Sequence, residues 1–225
     1  MNKTVLKTSV YIKSVTLMFG FVAVFFFLMP STLFAQTPAP ERDFSYKLTD
    51  DGTGIRITGY TGKNPNLVIP KTIEGYPVKE IQSNSRSLFG TDSIIMKSDD
   101  YWDTYKLETL VIPEGVEIIG GSAFEENTSL RKVVLPNTVH TIGYGAFRGC
   151  SSLTDINIPT GIRKIGTSAF NKCGELYDLR IPDSINNSID WGGVTFTGLN
   201  TFEGCGKLRI ATRKRLEELG YKWGF

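Results

Sequence analysis

The chain has 225 residues, 40% of them hydrophobic and 21% charged, with a formal net charge of +2. Such a composition fits one globular domain with an appendage, and no fibrous or low-complexity class. Its three cysteines leave one unpaired in any disulfide scheme, so a disulfide-built scaffold is not expected.

Residues 1–35 are read as the appendage. Lys3, Lys7 and Lys13 precede an apolar run from Val15 to Met29 that ends at Pro30, without one acidic residue. The run is short against the ~20 residues of a membrane span and suits the core of a secretory signal peptide. Cleavage is expected after Ala35, and an uncleaved membrane anchor is the alternative. No cysteine follows the run, so a lipoprotein anchor is not indicated. Residues 36–225 carry 22 basic and 23 acidic residues. The apparent basicity therefore belongs to the signal, and neither nucleic acid nor a membrane is expected as partner once it is removed.

Residues 36–43 are polar and proline-bearing, which predicts an extended, mobile linker. Over 44–63, Phe44 to Thr49 and Ile55 to Thr58 read as two strands around Asp50-Asp51-Gly52-Thr53-Gly54, a hairpin capping the fold. From 64 to 106 an irregular first repeat is expected, with Asn66 to Pro70, Val78, Ile81 and Phe89 in repeat positions. Its insertion from Thr91 to Tyr105 contains Tyr101 and Trp102, which either make a contact loop or pack the loop onto the neighbouring coil. Asp99, Asp100 and Asp103 lack the spacing and glycine of a calcium loop.

Residues 107–175 hold three regular copies of a 23-residue unit: LETLVIPEGVEIIGGSAFEENTS, LRKVVLPNTVHTIGYGAFRGCSS and LTDINIPTGIRKIGTSAFNKCGE. A fixed period of this size means a solenoid. Leu110/Ile112, Val133/Leu135 and Ile156/Ile158 predict short strands stacked in a parallel sheet. Pro113, Pro136, Pro159 and Pro182 end those strands. Ile119, Ile142 and Ile165 predict a second extended segment on the opposite wall, with Gly120, Gly143 and Gly166 at a bend. Phe124, Phe147 and Phe170 predict a column of rings in the core, worth about 2–3 kcal/mol each when buried. Asn127, Cys150, Cys173 and Cys205 share one position three residues later, which reads as small groups bonded to turn backbone. A disulfide between Cys150 and Cys173 is the alternative.

Residues 176–207 form a further copy that resumes nine residues late, after an insertion containing Asp190 and Trp191. Trp191 is again either a contact or a core residue. Residues 208–225 predict a capping helix, with Leu216 and Leu219 on one face, Thr212 at its start and Gly220 at its end. Tyr221, Trp223 and Phe225 belong to this cap, and the cluster of Lys207, Arg209, Arg213, Lys214, Arg215 and Lys222 reads as a solvated helix face.

The unit L-x-x-(LIV)-x-(LIV)-P-x-x-(VI)-x-x-I-G-x-x-A-F-x-x-(CN) resembles the BspA-like leucine-rich repeats of bacterial surface and secreted proteins, over roughly Tyr46 to Leu208. The resemblance implies a leucine-rich-repeat solenoid, mainly β, of about five coils, and roles in adhesion or protein binding. It carries over no ligand and no site.

Little in the chain suggests catalysis. His140, the single histidine, occupies the variable repeat position of Glu117 and Arg163 and is expected to face solvent. No metalloprotease, nucleophile-elbow or phosphate-loop motif occurs, so neither cofactor, metal nor enzyme activity is expected. The outward strand positions are Thr109 and Val111, Lys132 and Val134, Asp155 and Asn157, Asp178 and Arg180. With Tyr101, Trp102 and Trp191 they are the candidate ligand-binding residues. Their broad shared face suits a protein or peptide ligand rather than a small molecule, which needs a pocket. The chain is thus read as an exported binding module, secreted, at the cell surface or periplasmic. The alternative is an assembly component of the envelope that associates with itself or another protein.

Overall fold

The computed structural model describes residues 37–82, 106–183, 200–222 and 224–225, and these build a succession of short strands around one core. The first elements are the antiparallel strands β1 (Phe44–Leu48) and β2 (Ile55–Tyr60), with a bulge at Ser45/Tyr46. Their turn is held by Asp51, which accepts hydrogen bonds from Thr49 Oγ1 (2.5 Å), Thr53 N (3.0 Å) and Thr53 Oγ1 (2.6 Å). Those donors hold its carboxyl well below the usual carboxylate range. The segment read as a mobile linker is instead docked. Glu41–Asp43 form a 3-10 turn, Ala39 is buried, and its N–H donates to Val68 O at 2.9 Å, covering the edge of the strand that contains Val68.

The chain then alternates between two walls. β3 (Asn66–Val68), β4 (Thr72–Ile73) and β5 (Tyr76–Ile81) form the first circuit; β6 (Thr109–Val111) and β7 (Ile118–Ile119) form the next. β8 (Lys132–Val134) and β9 (Thr141–Ile142), then β10 (Asp155–Asn157) and β11 (Lys164–Ile165), repeat it, and β12 (Asp178–Arg180) opens the last. One wall is a parallel sheet ordered β3-β6-β8-β10-β12; the other runs β1-β2-β5-β7-β9-β11, with β4 paired to β5. The middle residue of every strand in the first wall points inward: Leu67, Leu110, Val133, Ile156 and Leu179 are all buried. Strands of three residues suffice because proline, which has no N–H, ends each ladder and turns the chain.

The turn ridge between the walls repeats with equal strictness. The rings of Phe124, Phe147, Phe170 and Phe202 stack at centroid separations of 5.4, 5.5 and 5.3 Å, each within 11° of parallel. Beside them, Phe124 N donates to Ala146 O (2.8 Å), Phe147 N to Ala169 O (2.8 Å) and Phe170 N to Thr201 O (2.9 Å). The nine-residue delay therefore leaves the column intact, with Thr201 standing where earlier copies have alanine. Cys150, Cys173 and Cys205 are buried free thiols, each donating to the phenylalanine carbonyl one coil back (Phe124, Phe147 and Phe170) at 3.1 Å. The turn-bonding reading holds and the disulfide alternative does not. Burial raises the Cys150 and Cys173 thiols well above their ordinary range, so neither is a ready nucleophile.

Gly143 and Gly166 serve a different purpose from the one expected. A Cβ on Gly166 would lie 2.5 Å from Tyr144 N and 2.6 Å from Gly143 C, and one on Gly143 would lie 2.6 Å from Gly121 N. Close approach of neighbouring coils, rather than a bend, excludes a side chain here. Left-handed backbone instead falls two residues either side of the phenylalanine: Ser122 (φ 53°), Gly145 (58°), Ser168 (56°) and Asn200 (71°) on one side, Glu126 (61°), Gly149 (73°), Lys172 (61°) and Gly204 (81°) on the other. Non-glycine residues in this region are strained by ~1–2 kcal/mol. Lys172→Gly is accordingly expected to raise stability by about 0.5–1 kcal/mol in urea unfolding, and a loss of stability would refute that account of the strain.

The helix α1 (Ile210–Glu218) begins two residues before Thr212, with Arg209 at its N-cap and no side-chain cap. Its entry is held by Arg213, whose guanidinium donates back to Leu208 O (3.0 Å) and to Gly206 O. Gly220 ends it as expected: φ is +94°, Gly220 N donates to Glu217 O and Tyr221 N to Leu216 O, closing a Schellman motif. Tyr221 then finishes the core. Its ring meets Phe202 edge-on at 5.3 Å, and its hydroxyl accepts from Phe202 N at 3.1 Å, the N–H that Phe124, Phe147 and Phe170 each give to the next coil.

Candidate functional site

The outward residues of the five-stranded wall form two continuous columns. Register pairs Asn66 with Thr109, Thr109 with Lys132, Lys132 with Asp155, and Asp155 with Asp178. The second column runs Val68, Val111, Val134 and then Asn157, Arg180. All eight strand residues named from the sequence lie on this one face, joined by Asn66 and Val68 of the irregular repeat. Tyr101, Trp102 and Trp191, with Phe89, Asp99, Asp100, Asp103, Asp190 and Trp223, lie outside the described residues.

The face divides chemically. At one end it is apolar: Val68, Val111 and Val134 line up, Val134 the most exposed at 37%. Beside them Thr109 Oγ1 donates to Asn66 Oδ1 at 2.8 Å, so the threonine hydroxyl is already engaged. At the other end, charges interlock. Asp155 forms ion pairs with Arg180 Nη1 (2.5 Å) and Lys132 Nζ (3.5 Å); Asp178 forms them with Arg180 Nη1 (3.6 Å) and Arg209 Nη1 (3.7 Å). Arg209 also lies 4.6 Å over the Tyr177 ring.

Asn157 marks the division and does not present a free amide. Ile69, Ile112 and Ile158 each donate a backbone N–H to the strand of the following coil, at Val111 O, Val134 O and Arg180 O. Leu135 instead donates to Asn157 Oδ1 (2.9 Å), and Asn157 Nδ2 donates to Leu135 O (2.8 Å). The side chain stands in for the ladder, a use that an outward strand position does not disclose in sequence. Arg209 was likewise invisible as a face residue, because it belongs to the cap and to no repeat column.

The remaining candidates are committed elsewhere. His140 is partly buried, with Nδ1 3.0 Å from Thr141 Oγ1 and Nε2 3.8 Å from Glu117 Oε2. In the basic cluster, Lys207 pairs with Glu175 at 2.7 Å, Arg215 with Glu218 at 3.6 Å, and Arg213 lies over Phe225. A cleft of about 440 Å³ between coils is lined by Arg148, Ser168, Asn171, Lys172, Asn200, Glu203 and Gly204, all from the turn ridge and none from the strand face. Among the described residues no group of three or more His, Cys, Asp or Glu is placed to hold a metal ion, and no helix is long and apolar enough to cross a membrane.

The profile of the BspA type leucine rich repeat region matches residues 95–222, in six copies. The chain belongs to the BspA-type leucine-rich-repeat family. Its repeats build a scaffold that often mediates protein interaction. Among solved structures, a Treponema pallidum leucine-rich-repeat protein is similar at 27% identity and TM-score 0.48, over 84% of this chain and 99% of that one. A Bacteroides ovatus leucine-rich-repeat protein is similar at 22% identity and TM-score 0.48, over 74% of this chain and 44% of the other. A leucine-rich cell surface protein of Faecalibacterium prausnitzii is similar at 24% and 0.47, over 77% and 53%. The chain thus spans about half the length of the last two. No curated protein matches it.

Proposed function

We propose that this BspA-type protein is an exported binding module that holds a protein or peptide ligand on the outer face of its five-stranded wall, without catalysis. The observation that supports this most is the register, which merges outward residues from five coils into one surface some 20 Å long at ~4.8 Å per coil. A broad face of that kind engages extended partners, whereas small molecules need an enclosing pocket. Export is supported by the basic and then apolar pattern of residues 1–35.

The test replaces Lys132→Gln, Asp155→Asn, Asp178→Asn and Arg180→Gln together, confirms the fold by circular dichroism, and compares capture of partners from the native cells. Capture is expected to fall at least about tenfold, as for loss of a central charged cluster. Undiminished capture would refute the strand face as the site. Concentration-dependent self-association without any other ligand would favour an envelope-assembly role instead.

A further inference from the structure

The charged half of the strand face is not electrically neutral as a ligand meets it, and its exposure pattern states which sign is offered. The carboxylates lie low: the Asp155 side chain is 22% exposed and Asp178 36%. The cations stand above them, with Lys132 at 54%, Arg180 at 48% and Arg209 at 50%. Each ion pair of Arg180 and Arg209 here is made through Nη1, and a guanidinium carries five N–H donors in a planar fork. The aspartates therefore act as a base layer that orients three cations outward. Immediately alongside lies the valine column Val68, Val111 and Val134.

From this we infer that the ligand is an acidic peptide segment, its carboxylates over Lys132, Arg180 and Arg209 and its aliphatic side chains on the valines. The inference rests on the strand face being the binding site. Charge complementarity selects this occupant over others. A second copy of the chain would set the same three cations against themselves. Nucleic acid would find cations but, on the described face, an apolar aliphatic column where single strands need successive stacking platforms; the half-exposed Tyr177 beside it has one face of its ring under Arg209.

The test uses the full chain and three synthetic peptides of equal length with the same leucines, the other positions being glutamate, glutamine or lysine, plus a single-stranded oligonucleotide. Binding is read by fluorescence anisotropy at low and high salt. The glutamate peptide is expected to bind at least about tenfold tighter than the other two and to lose about tenfold or more at high salt. Lys132→Gln with Arg209→Gln is expected to remove most of that preference, while Lys164→Gln on β11 of the opposite wall leaves it unchanged. Failure of the glutamate peptide to bind, equal binding of the glutamine peptide, or preference for the oligonucleotide would each overturn the inference. Should native capture still depend on the fourfold variant in that event, the face stands as the site and only the acidic partner falls. Should capture not depend on it, the site itself falls.

Discussion

Phe147→Ala is expected to lower stability by about 3–5 kcal/mol, the range for removing a buried ring from a core that cannot collapse onto the gap. The ring is fully buried and held between Phe124 and Phe170 at 5.4 and 5.5 Å. Neither neighbour can move in, because each coil is fixed to the next by the Phe-to-Ala backbone bonds beside the stack. Coils in a solenoid touch only their neighbours, so the damage is local in origin and array-wide in effect. Urea unfolding would show it as a lower midpoint, and as two transitions if the coils before and after position 147 uncouple. Phe147→Leu, which keeps most of the volume, is expected to cost less than half as much. A loss below about 1 kcal/mol for the alanine variant would mean that the ring column does not support the fold.

Gly166→Ala is expected to cost about 3 kcal/mol or more, although it adds one methyl group. The atoms it would strike are backbone: Tyr144 N at 2.5 Å, Gly143 C at 2.6 Å and Gly143 O at 2.9 Å. A side chain could swing aside, but here the coil itself must shift, which strains the 2.8 Å bond from Gly166 N to Ile142 O and the β9–β11 pairing next to it. Gly206→Ala is the control, since nothing lies within 4 Å of its added carbon. Equal stability of the two variants by thermal unfolding would exclude close coil approach as the reason for glycine at position 166.

The parts of the fold that were legible in the sequence are those that the 23-residue period forces to be alike. Leu110, Val133 and Ile156 must match because they share one inward column, and Phe124, Phe147 and Phe170 must match because rings stack only on rings of similar shape. The same alignment placed Lys132, Asp155, Asp178 and Arg180 on one face. Features made by a single residue left no such trace. Asn157 looks like any outward residue until its amide is seen bonded to Leu135. Glu126 and Lys172 occupy left-handed positions that their own residue types do not signal, although Gly149 and Gly204 hold the same place in other coils. Residues 37–43 have a linker's composition but pack, because the exposed edge of β3 needs a partner and Ala39 supplies it. Arg209 reaches the face from the cap, where periodicity says nothing.

Tyr221 has a consequence for how such a chain lengthens. The hydroxyl that receives Phe202 N and the ring that closes the stack come from outside the repeated unit. Coil number is therefore set by where the tyrosine-bearing segment follows, not by anything inside the 23 residues. Duplicating one unit between two regular copies would extend the rod by one step of about 4.8 Å and leave both terminations as they are. Reach along the strand face is thus a quantity that gene duplication can adjust one rung at a time, without redesign of either end.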